Sequence, residues 1–134
     1  MNSDTIIESL ECAAQACEDP TSLVYSHLFA RHPEMEELFL LDRQDEAKGH
    51  MLFEVIECII DFVGPRYTSE GLIRTELINH QQIGVPLEVF ETFFTAVRDA
   101  FRDLLGSTWT PNYDEAWDSL LEELSKVMHS RTAA

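Results

Sequence analysis

Residues 86–117 read PLEVFETFFTAVRDAFRDLLGSTWTPNYDEAW, and this stretch settles the structural class. Phe90, Phe93, Phe94, Val97, Phe101, Leu104 and Leu105 recur every three or four positions, the spacing of one helical face rather than the alternation of a strand. Pro86 suits the first turn of that helix and Gly106 its stop. At ~1.5 Å per residue the nineteen residues between them span ~30 Å, the width of a small domain. Thr110-Pro111 then offers a cap and a first-turn proline. A second helix follows, with Trp117, Leu120, Leu121, Leu124, Val127 and Met128 on one side.

Upstream the same spacing continues. Residues 3 to 18 are expected to form a helix with Ile6, Ile7, Leu10 and Ala14 inward. Asp19-Pro20 restarts the chain, with Asp as cap and Pro in the first turn. The next helix presents Val24, Tyr25, Leu28, Phe29 and His32 until Pro33 disrupts it. A short segment through Leu38, Phe39, Leu40 and Leu41 leads into the polar connector DRQDE. A long helix to about Val63 carries an inward stripe of Leu52, Val55, Ile56, Ile59, Ile60 and Val63, and Gly64-Pro65 ends it. Thr68-Ser69 caps a helix bearing Leu72, Ile73, Leu77, His80 and Ile83, with Gly84 where a left-handed residue is wanted. No repeat, low-complexity tract or linker interrupts the pattern. The reading is one all-α domain, residues 1–134, of about six to seven helices.

A chain of 134 residues can bury roughly two thirds of its unfolded surface, enough for a core without metal or disulfide staples. No apolar run is long enough to cross a bilayer. The start, MNSDTIIESLE, lacks the basic-then-apolar order of a secretion signal. Cys12, Cys17 and Cys58 are odd in number and have no zinc-site spacing, so a cytoplasmic setting is expected. The net charge of −16 repels phosphate backbones and anionic lipid, so neither nucleic acid nor a membrane is an expected partner. It would attract a basic protein such as a separate reductase, although a solvated acidic coat accounts for it equally well. The oligomeric state stays open.

Three clusters, in their order and spacing, resemble the globin family, specifically single-domain bacterial haemoglobins. VYSHLFARHPEMEELF (24–39) resembles the segment from the distal tyrosine to the phenylalanine that stacks on haem. NHQQIGV (79–85) resembles the proximal histidine and the turn behind it. LLGSTWTPNYDEAW (104–117) resembles the corner between the last two helices. The resemblance covers nearly the whole chain after a shortened first helix. It implies a globin-like fold around a pocket for haem b (iron protoporphyrin IX), lined by Tyr25, Phe29, Phe39, Lys48, Met51, Leu52, Val55, Leu77, His80, Val85 and Phe90.

On this resemblance His80 is the iron ligand, since haem iron takes a neutral imidazole nitrogen. Stripe position alone fits a hydrogen-bonded core histidine as well. Tyr25 would be a buried phenol donating to a polarised oxygen ligand, its alternative being an ordinary packed tyrosine. Phe39 would lie against the porphyrin. The register of the distal helix has two solutions. Counting back from His80 puts Lys48 toward the ligand with Leu52 one turn on, whereas counting forward from Phe39 puts Met51 there with Val55 one turn on. His50, close by, is either a second iron ligand or a surface histidine. Glu76 stands where many globins have an apolar residue; its carboxylate either accepts the free imidazole N–H or is a solvated rim glutamate. Arg43, Lys48 and Arg74 are candidate partners for the haem propionates.

The implied function is reversible binding of a diatomic gas (oxygen, nitric oxide or carbon monoxide) for storage, scavenging or sensing. A nitric oxide dioxygenase served by a separate reductase is the alternative, and a haem-free regulatory module the second. Self-sufficient turnover is not expected, because no flavin or nicotinamide domain follows in this sequence. Flavohaemoglobins also place a tyrosine and a glutamate behind the proximal histidine. Here Phe90 takes the tyrosine position, and Thr132 falls near that of the glutamate.

Overall fold

Alternating apolar stripes and helix stops fold into six α-helices and two 3₁₀ segments in the computed structural model, which describes residues 2–130. In chain order they are α1 (Ser3–Ala16), α2 (Thr21–Arg31), a 3₁₀ segment (Pro33–Phe39), α3 (Glu46–Val63), α4 (Ser69–Gln82), α5 (Leu87–Leu105), a 3₁₀ turn (Gly106–Thr108) and α6 (Pro111–His129). Helix α5 runs through the middle, packing on α1, α2, α4 and α6, while α3 lies against α2 and α4. The described residues form no strand, and no helix among them is long and apolar enough to cross a membrane.

The stripes of α5 and α6 meet as their spacing predicts. Val97, Ala100, Trp117, Leu120 and Leu124 are almost wholly buried together with Ile6, Val24 and Ile59. The Trp117 indole N–H would be orphaned there, but it donates to Ser9 Oγ at 2.9 Å, and the Ser9 hydroxyl donates to the Ile6 carbonyl at 2.7 Å. Helix ends follow local chemistry. Thr110 Oγ1 accepts the Tyr113 N–H, capping α6 with Pro111 in its first turn. Gly84 and Gly106 take φ of +94° and +50°, which side-chain-bearing residues adopt only with strain.

Several expectations are corrected. Helix α1 ends at Ala16, and Ala13 rather than Ala14 faces the core. Thr21, not Pro20, begins α2, because the Asp19 carboxylate accepts both the Thr21 N–H and its hydroxyl. On α3 Phe62 is buried and Ile60 is 39% exposed, since the apolar stripe is wider than the face that α4 covers. Leu40 and Leu41 point to water at 71% and 92% exposure, because the chain leaves the core after Phe39. The turn between α3 and α4 is organised by Asp61, whose carboxylate accepts the N–H groups of Tyr67, Thr68 and Ser69 at 2.8–3.1 Å. It does the work expected of Thr68, whose side chain makes no capping bond.

Candidate functional site

Between α2, the 3₁₀ segment, α3, α4 and the start of α5 lies a cavity of about 460 Å³, within the ~300–1,000 Å³ usual for small-molecule sites. Its walls are mainly apolar and aromatic: Leu28, Met35 and Phe39 on one side, Met51, Val55 and Cys58 on α3, Ile73 on α4, and Val89, Phe90, Phe93 and Phe94 on α5. Burial, then the negative charge of Asp61, pushes the Cys58 thiol up to about 11, so it behaves as a small apolar group. Polar atoms enter this wall at few places.

His80, in the last turn of α4, is the first. Its Nδ1 lies 2.7 Å from the Glu76 carbonyl oxygen. A carbonyl only accepts, so Nδ1 carries a proton, and in the neutral ring the lone pair is then on Nε2. The Glu76 carboxylate stands farther off, at 3.7 Å. Of the two readings of Glu76, the backbone carbonyl takes the imidazole hydrogen bond and the carboxylate, 35% exposed, stands at the rim. The Phe90 ring meets the imidazole edge-on at 5.2 Å between centroids and fixes its tilt.

Tyr25 is the second. It is 2% exposed and wedged among Phe29, Phe39 and Phe93, whose ring centroids lie 5.2–5.7 Å away. Among the described residues its hydroxyl has no hydrogen-bond partner, and burial, helped by Asp42, pushes the phenol above its ordinary value. A buried phenol that stays protonated and unpaired beside a cavity is a donor waiting for an acceptor.

Of the residues proposed from the sequence, Tyr25, Phe39, Met51, Val55, His80, Val85 and Phe90 line this cavity, while Phe29, Lys48, Leu52 and Leu77 do not. The helical wheel gives the reason. At ~100° per residue, His50, Met51, Glu54, Val55 and Cys58 share one arc of α3, and Leu52 lies outside it, 3% exposed in the core. Lys48 is turned away toward Asp45 (2.9 Å) and Asp42 (3.3 Å), with its ammonium 5.2 Å from the Phe39 ring. Leu77 lies just beyond the cavity arc of α4, where Glu76 stands instead. Phe29 packs behind the wall on Tyr25 and Phe39.

Sequence reasoning missed Leu28, Val89, Phe93 and Phe94 as wall residues, although all sit one turn or less from residues it named. Met35 and Leu38, in the 3₁₀ segment, carry no periodic signal. His50 and Glu54 stand at the rim, 2.8 Å apart and largely in water. Arg43 is not part of the cavity lining, and Arg74 pairs with Glu70 at 3.4 Å. Thr132 lies outside the described residues.

One imidazole nitrogen with a free lone pair, in a cleft lined mainly by apolar and aromatic side chains, suits a metal that arrives inside a flat apolar macrocycle. Comparison with family models gives a match to Globin over residues 22–128. Neither curated proteins nor solved structures give a match. The matched stretch runs from the helix that carries Tyr25 to the end of α6 and includes every described wall of the cavity; the chain belongs to the globin family.

Proposed function

We propose that this globin holds haem b through His80 Nε2 and binds a diatomic gas reversibly beside Tyr25. The observation that carries the reading is the 2.7 Å contact between His80 Nδ1 and the Glu76 carbonyl, which fixes the tautomer whose other nitrogen is a metal donor. The haem iron would supply the coordination position for the gas. The chain supplies the rest. Backbone at Glu76 orients the imidazole, Phe90 restrains its rotation, and Phe39, Phe93 and Phe94 give aromatic surface to a flat ring. Tyr25 offers its O–H to a ligand atom that gathers negative charge, and Met51 and Val55 keep the neighbouring wall apolar.

Oxygen is a better acceptor than carbon monoxide, which separates donation from packing. Tyr25→Phe is expected to speed oxygen dissociation by about tenfold or more, what ~1.4 kcal/mol of lost hydrogen bonding gives, with a much smaller change for carbon monoxide. Flash-photolysis and stopped-flow rates read both. Equal changes for the two gases would show that the ring, not the hydroxyl, is what matters. An oxygenase reading gains no support from the site, because Phe90, the residue on the imidazole, has no polar atom to push charge toward the metal.

A further inference from the structure

We infer that Asp42 and Lys48 determine how strongly a polar gas is held, by setting the charge felt at the Tyr25 hydroxyl; this rests on the gas-binding reading above. The connector after Phe39 brings the two together at the start of α3, with side chains 10% and 12% exposed. The Asp42 carboxylate accepts the N–H groups of Ala47 and Lys48, each at 3.0 Å, and stands 3.3 Å from Lys48 Nζ. That ammonium also meets Asp45 at 2.9 Å. It lies 5.2 Å from the centre of the Phe39 ring, within reach of cation–π attraction. Phe39 in turn meets Tyr25 edge-on at 5.3 Å. One aromatic ring thus links the lysine to the phenol.

The two charges act in opposite directions. Negative charge at Asp42 adds to burial in keeping the Tyr25 phenol protonated. A phenol made less acidic is a weaker hydrogen-bond donor. The Lys48 ammonium masks that carboxylate and restores donor strength. Backbone fixes the balance, because the same carboxylate that holds the ammonium also caps the first turn of α3. Both side chains are largely covered by protein, so solvent ions screen them less than an open surface pair. Neither residue lines the cavity, and each acts through Tyr25 rather than by touching the gas.

The test compares Lys48→Met, Asp42→Asn and the double variant in the haem-loaded ferrous protein. Oxygen dissociation is read by stopped flow and the carbon monoxide stretch by infrared absorption. Lys48→Met keeps the side-chain stem on Phe39 and leaves the carboxylate unmasked. It should speed oxygen loss by about two- to fivefold, the range that one partly covered charge gives, and raise the stretch frequency. Asp42→Asn keeps an amide oxygen for the helix N–H groups and leaves the ammonium less balanced. It should slow oxygen loss and lower the frequency. The double variant should return toward the parent on both readouts. Opposite signs with restoration distinguish charge from folding, since a packing defect would move both single variants the same way. In a Tyr25→Phe background the oxygen effects should largely vanish. Single variants that change both readouts in the same direction, or neither, would overturn the inference. A parent protein that takes up no carbon monoxide would contradict the gas-binding reading, and this inference with it.

Discussion

Asp99→Ala is expected to cost about 3 kcal/mol of folding stability, the low end of the range for breaking a buried ion pair. Asp99 is 4% exposed in the middle of α5, and three arginines close on it: Arg31 from α2 at 2.6 Å, Arg98 at 2.7 Å and Arg102 at 3.2 Å. Removing the carboxylate leaves Arg98, whose side chain is 16% exposed, with only Asp118, at 3.2 Å, among the described residues. Arg31 and Arg102 are nearly half exposed and can turn to water, which keeps the loss at the low end. The melting temperature should fall by roughly 10 °C for a chain of this size. A urea midpoint within error of the parent's would refute the assignment.

The same cluster sets an acid limit. Burial raises the Asp99 pKa, but hydrogen bonds and charge from Arg98 and Arg31 outweigh it and hold the carboxyl below its ordinary range. Its contribution is therefore complete at neutral pH and is lost as pH falls through the folded-state value.

The second large effect belongs to His80. His80→Ala should abolish haem retention on gel filtration, leaving a chain with unchanged far-ultraviolet circular dichroism. The side chain is 26% exposed and its ring hydrogen-bonds only to Glu76 in the preceding turn of its own helix, so the fold does not depend on it. His80→Gly leaves room for free imidazole, and added imidazole should restore much of the Soret absorbance. A variant that keeps full cofactor with an unaltered iron spectrum would show that the axial bond lies elsewhere.

Much of this arrangement is legible in the residues because it is local. Helix spacing, the glycines at 84 and 106 and the Thr110 cap each act within a few positions, and the stripe of α4 carries His80 without help from elsewhere. What stays hidden depends on distance or on the connector between Phe39 and α3. Periodicity tolerates either Lys48 or Met51 toward the cavity. The choice is made by Asp42, whose carboxylate accepts the N–H groups of Ala47 and Lys48 and draws the lysine ammonium away. Asp45, at φ +60°, turns the chain into the helix there. Asp99 looks like a polar intrusion on a helix, because its partner Arg31 is 68 residues away. Glu76 is visible, but not that its backbone rather than its carboxylate would meet His80.

The most direct measurement is the absorption spectrum of the purified, haem-supplied protein in the ferrous state, before and after carbon monoxide. The account predicts a strong Soret band that shifts and sharpens with the gas, and that disappears with His80→Ala. A chain that takes up no haem, or one whose ferrous spectrum is indifferent to carbon monoxide, would contradict it.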